Sequence, residues 1–136
     1  MTSVVVGFDG SDESRRALER AASLAGDGEV TVVTATHVAP IATKGPGVVV
    51  PDPVEAEERA HVLHEGQTWL AERGVKVRGV EVAGDAADAI IDMAKEVGAE
   101  FVVVGTRGRH GAARLLLGSV SSKVAAEAPC DVVVVH

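Results

Sequence analysis

The run Phe101-Val-Val-Val-Gly105 decides the fold class of this chain. Its first four residues are aromatic or β-branched and follow one another without polar interruption, which is typical of a strand buried on both faces of a sheet. Similar runs occupy residues 3–8, 30–38 and 131–135. Such strands occur in parallel sheets with helices on both faces, so the sequence predicts an α/β protein.

A fifth run, residues 75–82, has a different pattern. Its valines alternate with Lys76, Arg78 and Glu81. Alternation of this kind predicts a strand with one face toward solvent. We therefore expect this strand to lie at an edge of the sheet.

Helical patterns fill the intervals between the runs. Apolar residues recur at three- and four-residue spacing in segments 12–25, 53–73, 85–97 and 119–128. Ser11 precedes the first segment and is a good N-cap. In segment 53–73 the predicted buried stripe consists of Ala56, Ala60, Leu63, Trp69 and Leu70. The strands and helices alternate, which predicts parallel strands joined by right-handed crossovers.

One long connection, residues 39–52, is rich in proline and glycine. Loops of this length in small domains are often functional lids or simply mobile connections. The sequence leaves both interpretations open.

Composition narrows the functional classes. The chain has 136 residues, 46% of them hydrophobic, which predicts one domain over residues 1–136. Its formal charge of −7 and its scarcity of aromatic residues argue against nucleic-acid or membrane partners. Cys130 is the single cysteine, so no internal disulfide is expected. No leader or membrane span is predicted, and we expect a cytoplasmic protein.

The segment 105–121 carries the strongest functional signal. No Asp or Glu occurs from Phe101 to Ala126, although the chain as a whole is acidic. Four glycines lie between a predicted strand and the start of a predicted helix, where free N–H groups form an anion site. A flexible glycine-rich turn with a serine cap is the alternative. The segment lacks the lysine of a P-loop and the spacing of a Rossmann fingerprint.

The glycine spacing resembles the ATP-binding signature of the universal stress protein family. Gly105 and Gly108 are followed, after nine residues, by Gly118-Ser119. Further landmarks are V-G-F-D-G-S at 6–11, T-H-V at 36–38, A-D-A-I-I-D-M-A-K-E at 87–96 and the closing C-D-V-V-V-V at 130–135. The resemblance spans the whole chain.

This resemblance implies an open five-stranded parallel sheet in the order 3-2-1-4-5, with a ligand between strands 1 and 4. It implies binding of ATP, or of AMP or another adenine nucleotide, with Mg²⁺ held through the phosphates. Arg107 is expected to add positive charge. The implied contacts are Gly7, Phe8, Asp9 and Val38 around adenine, Val104 and Gly105 along the base and ribose, and Gly108, Gly118, Ser119, Val120 and Ser121 at the phosphates.

Asp9 has two interpretations. It follows the first predicted strand, where its carboxylate could bond the base or ribose, or contact Mg²⁺ through water. It could equally cap the helix that begins at residue 12. His61 and His64 share a helix face, but no third metal ligand is evident, so we expect them to be exposed and predict no metal site.

The predicted function is that of a nucleotide-binding regulatory or stress-response module. The sequence offers no paired carboxylates and no nucleophile–base arrangement, so we expect no enzyme and at most slow, incidental ATP hydrolysis. A slow ATPase or nucleotidyl-transferring enzyme and an interaction protein with an empty pocket are the alternatives. Strand 131–136, outermost in the implied order, predicts a homodimer through its unguarded edge.

Overall fold

The computed structural model describes residues 1–36, 38–40, 49–51, 53–106 and 118–136. Strands and helices alternate in the main part of the chain, as predicted. In chain order the elements are β1 (Ser3–Gly7), α1 (Asp12–Ala25), β2 (Glu29–Thr36), β3 (Val38–Pro40), β4 (Val49–Pro51), α2 (Pro53–Glu72), β5 (Lys76–Ala83), α3 (Ala86–Val97), β6 (Phe101–Gly105), α4 (Ser119–Glu127) and β7 (Asp131–Val135).

Five strands form one parallel sheet in the order β5-β2-β1-β6-β7. Numbered along the chain without the short strands β3 and β4, this is the predicted order 3-2-1-4-5, which is confirmed. Successive valines of β1 point to opposite faces: Val4 and Val6 pack beneath α1 and α2, whereas Val5 packs beneath α3 and α4. The two apolar layers explain the uninterrupted valine runs.

The edge position predicted for segment 75–82 is also confirmed. Strand β5 pairs with β2 along one side, and its residues alternate between exposed and half-buried. Its charged residues fall on exposed positions. This edge of the sheet is therefore guarded by charge.

The segment 39–52 is not merely a loop. Strands β3 and β4 pair antiparallel, with Val38 opposite Pro51 and Pro40 opposite Val49. Proline is tolerated at the edges of such a two-stranded sheet because one side of each strand needs no donor. Pro40 and Pro51, which indicated a loop, therefore lie within strands.

The inner face of α2 differs from the prediction. Its buried positions are Arg59, Leu63, Gly66 and Leu70, at helical spacing, whereas Ala60 is exposed. Leu63 and Leu70 of the predicted stripe are buried and Trp69 packs against the core, whereas Ala60 was wrongly included because the stripe was drawn through apolar residues alone. A basic residue, Arg59, lies on the buried face one turn before Leu63.

Candidate functional site

The centre of the candidate site is the edge of the sheet where β1 and β6 end. These neighbouring strands feed helices on opposite faces of the sheet, α1 on one and α4 on the other. Such a divergence opens a crevice at the carboxyl ends of the strands. Val6 pairs with Val103, and three residues further along their chains come Asp9 and Thr106. The two strand exits therefore lie side by side.

Local hydrogen bonds fix the turn from β1 into α1. The Asp9 carboxylate accepts from the N–H of Ser11 at 2.9 Å, and Gly10 makes the turn with φ +85°. The Ser11 hydroxyl accepts from the N–H of Ser14 at 3.2 Å and caps α1, as predicted. Asp9 thus holds the cap residue Ser11 in place but is not itself the cap of α1. Its predicted contact with a ligand remains a prediction.

Phe8 and Gly7 contribute to packing at this exit. The Phe8 ring is buried against Gly66 of α2, whose added Cβ would lie 2.9 Å from the ring. A Cβ at Gly7 would lie 2.7 Å from Cδ1 of Ile90. The Phe8 carbonyl accepts from Thr34 at 2.9 Å. The Phe8 ring thus packs in the core, and the predicted contacts of Gly7 and Phe8 with adenine remain predictions.

Gly105 and Val104 end β6. A Cβ at Gly105 would lie 2.7 Å from Cβ of Glu13 and 3.1 Å from its carbonyl carbon. Glycine here lets the first turn of α1 pack against the end of β6. Val104 is buried beneath α3. The described contacts of both residues are thus internal, and their predicted ligand contacts remain predictions.

The exit from β6 leads to the start of α4. Gly118 is the N-cap of α4, and its N–H donates to the Thr106 carbonyl at 2.6 Å. No side chain of the described residues caps the helix, and its first turn contains no acidic residue. Gly118 has φ −68° and ψ 167°, a conformation open to any residue. A requirement for glycine at this position would therefore concern space.

The first three N–H groups of α4 belong to Ser119, Val120 and Ser121. They have no partner within the helix, because the first helical bond runs from Ser122 to Gly118. Ser119 is exposed, whereas the Ser121 hydroxyl is buried and donates to the Thr106 carbonyl at 2.9 Å. At Ser121 the backbone N–H is thus the group left for a ligand.

Lys123 of α4 forms ion pairs with two aspartates at the start of α3. Its ammonium lies 2.7 Å from Asp88 and 3.6 Å from Asp85 of α3, and the hydrogen bond to Asp88 raises the pKa of Lys123. Lys123 lies in the window without acidic residues, where an uncompensated ammonium would add to a positive field. The ion pair instead ties α4 to α3, so its charge is largely compensated.

Arg59 is the residue that sequence reasoning missed. It is 5% exposed, and its Nη1 donates to the Asp9 carbonyl at 3.4 Å. The available signal was its spacing, since Arg59 precedes Leu63 by four residues and lies on the same helix face. Its guanidinium places a permanent positive charge beside the exit from β1.

Several predicted residues cannot be placed. Arg107 and Gly108 lie outside the described residues, and Val38 is described only through its backbone in β3. His61 and His64 are exposed, as expected. Within the described ranges, no group of three His, Cys, Asp or Glu side chains is arranged to hold a metal ion.

The elements that the structure describes include no helix with the length and apolarity needed to cross a membrane.

Burial raises the pKa of the Cys130 thiol, and the Asp131 carboxylate adds to this shift. A raised pKa favours the unreactive thiol form.

The parallel sheet, its helices on two faces and the crevice between β1 and β6 define an open, doubly wound α/β protein. Residues 1–136 match the universal stress protein family. The chain belongs to this family.

Individual relatives agree with this assignment. Universal stress protein YxiE of Bacillus subtilis (strain 168) is 36% identical over 144 residues, which covers 98% of this chain and 97% of the relative. A universal stress protein crystallised in complex with cAMP has a TM-score of 0.75 and 30% identity, covering 99% of this chain and 97% of the other. The universal stress protein from Archaeoglobus fulgidus in complex with dAMP has a TM-score of 0.76 at 23% identity, covering 100% and 98%, a likeness of fold alone.

Proposed function

We propose that this chain is an ATP-binding universal stress protein that acts as a nucleotide-dependent regulatory module in a stress response. The observation that carries the proposal is the uncapped N-terminus of α4 at the crevice between β1 and β6. Three N–H groups and the positive end of the helix dipole face a ligand there without a competing acidic side chain in the first turn.

A solved relative supports an adenine nucleotide as the ligand. The universal stress protein in complex with cAMP is 30% identical to this chain and shares its fold. In our proposal the triphosphate of ATP lies against Gly118, Ser119, Val120 and Ser121, and Mg²⁺ is held through the phosphates. AMP and cyclic AMP are the competing ligands.

A calorimetric titration with ATP, AMP and cyclic AMP, with and without Mg²⁺, tests the proposal. ATP is expected to bind most tightly. Ser119→Ala removes a hydroxyl that would donate to phosphate, a charge-assisted bond worth about 1.5–3 kcal/mol. The Kd for ATP should therefore rise about 10- to 150-fold. A parent protein that binds none of these nucleotides would overturn the proposal.

We also propose binding without efficient catalysis. Of the described carboxylates beside the crevice, that of Asp9 accepts from the N–H of Ser11, and Glu13 packs with its stem against the end of β6. Steady-state release of phosphate should remain far below the roughly 10 s⁻¹ typical of enzymes. A rate near that value, lost in Asp9→Ala, would establish an ATPase instead.

A homodimer through β7 completes the proposal. β7 is an edge strand whose valines are half-buried, and its one charged residue is Asp131 at its start, whereas β5 carries Lys76, Arg78 and Glu81 along its length. An apolar edge of this kind favours pairing with a second copy. Light scattering should find a dimer for the parent and a monomer for Val133→Lys with Val135→Lys. A monomeric parent at micromolar concentration would contradict the dimer and leave nucleotide binding untouched.

A further inference from the structure

Arg59 is a buried charge with few partners. Its side chain is 5% exposed, and its Nε has no hydrogen-bond partner among the described residues. The one bond found for its guanidinium in that part of the chain, to the Asp9 carbonyl, is long at 3.4 Å. A guanidinium carries five N–H donors, and burial of such a charge is costly unless these donors are bonded. Among the described residues, the guanidinium therefore keeps donors for a further acceptor.

Its position points to the crevice. Arg59 reaches the Asp9 carbonyl at the exit from β1, and the Thr106 carbonyl at the exit from β6 accepts from Gly118. Since β1 and β6 are paired neighbours, about 4.8 Å apart, the guanidinium and the N-terminus of α4 lie at adjacent strand exits. A mononucleotide can bridge this span. Arg59 and α4 thus approach the crevice from opposite faces of the sheet.

We propose that Arg59 is a ligand-binding residue of this site and that its guanidinium donates to an oxygen of the bound nucleotide. The inference rests on the proposed function. Because a guanidinium has donors only, the group it recognises must be an acceptor, either a ribose oxygen or a phosphate oxygen. Arg59 would then contact the nucleotide on the side opposite α4.

A ligand-binding arginine and a structural arginine have opposite effects on stability. Replacing an under-bonded buried charge by an apolar side chain of similar size is often neutral or stabilising. A residue retained for a ligand also commonly lowers the stability of the free protein. Arg59→Met should therefore leave the Tm of the free protein unchanged or raised, whereas loss of a structural arginine would lower it.

The experiment combines thermal unfolding with titration of adenosine, AMP and ATP. Arg59→Met should weaken AMP and ATP about 10- to 100-fold, as loss of a charged hydrogen bond predicts. Arg59→Lys, which keeps the charge but not the planar donors, should recover part of the affinity. Arg73→Met is the matched control, because Arg73 directly follows the same helix, stacks on Trp69 and donates to the Trp69 carbonyl at 2.8 Å. It should bind as the parent does.

The adenosine titration separates the two acceptors. An equal loss with adenosine and AMP assigns the contact to the ribose, and a loss confined to AMP and ATP assigns it to a phosphate. The Nε–H resonance of Arg59 in the parent protein provides a readout that needs no variant to fold. It should shift on addition of ATP.

The inference would be overturned if Arg59→Met bound AMP and ATP with the affinity of the parent. It would also be overturned if the Nε–H resonance of Arg59 did not shift on addition of ATP. In either case ATP binding by the parent would keep the proposed function intact. A parent that binds no adenine nucleotide would instead remove the proposed function and this inference together.

Discussion

The helices that follow β1 and β6 at the crevice, α1 and α4, begin with the same backbone geometry but differ in the groups that cap them. Ser11 and Gly118, the N-caps of α1 and α4, have nearly the same backbone, with φ −69° and ψ 161° in one and φ −68° and ψ 167° in the other. Two residues after the first helical position, each helix has a buried serine whose hydroxyl donates to its N-cap carbonyl. These serines are Ser14, at 3.0 Å, and Ser121, at 3.1 Å.

The difference lies in what compensates each helix end. α1 has a capping hydroxyl and two acidic residues, Asp12 and Glu13, in its first turn, whereas α4 has neither. Acidic side chains and a cap stabilise the positive end of a helix dipole. The comparison indicates that α1 is complete as a structural element, while α4 retains its capacity to bind an anion.

The largest effect is expected from Gly118→Val. The N-cap backbone accepts a β-branched residue, so the fold and its circular dichroism spectrum should persist, but the added side chain would occupy the space of the phosphates. ATP binding should become undetectable by calorimetry. Ser11→Val is the matched control, since it places the same residue at the equivalent position of α1 and should lose stability while retaining affinity. Unchanged binding by Gly118→Val would place the phosphate site elsewhere.

Ser119→Asp makes α4 resemble α1. An aspartate at the first helical position should stabilise the helix by about 0.3–1 kcal/mol and thus leave the Tm unchanged or higher. The same charge would repel phosphate at a cost of roughly 1–4 kcal/mol, which corresponds to a loss of affinity of about 5- to 1000-fold. Thermal unfolding and titration together check the prediction. A variant that gains no stability and binds ATP normally would contradict the role assigned to this helix end.

Ser14 and Ser121 occupy equivalent positions in α1 and α4, so their contributions to the free energy of unfolding can be compared. Ser14→Ala and Ser121→Ala each remove a buried hydroxyl from a helix start, and each should lower the free energy of unfolding by about 1–2 kcal/mol. Urea denaturation measures both values. Because the Ser121 N–H remains, Ser121→Ala should change ATP affinity only about threefold or less. A larger loss of affinity would mean that the Ser121 hydroxyl donates to the nucleotide.

The smallest effect is expected from Lys123→Met. Lys123 is paired with Asp88, so its charge adds little to the field at the N-terminus of α4. The Kd for ATP at physiological salt should change about threefold or less, as expected for an exposed, screened and compensated charge. Titration at two salt concentrations measures this. A change of tenfold or more would mean that Lys123 leaves Asp88 to bind the nucleotide.

Much of the fold was predictable because it follows from local patterns. Uninterrupted valine runs identified the central strands, and Ser11 marked the start of α1. The strand order came from the resemblance of the glycine motif to a known family, since no local pattern orders strands. Strands β3 and β4 were missed because Pro40 and Pro51 indicated a loop.

The candidate site was less predictable because its chemistry depends on contacts distant in sequence. The Ser121 hydroxyl is engaged by a carbonyl fifteen residues away, and Lys123 pairs with an acid of another helix. Arg59 was overlooked because only apolar residues were considered for the buried face of α2. A charged residue in register with a buried stripe is a signal that sequence reasoning can use.

The most direct test of the central claim is a titration of ¹⁵N-labelled protein with ATP, followed through backbone amide resonances. The account predicts the largest shifts at Ser119, Val120 and Ser121, whose N–H groups have no partner within α4. The amides of Asp12, Glu13 and Ser14 at the start of α1 should move much less. Largest shifts at α1, or none at α4, would contradict the claim that α4 binds the phosphates.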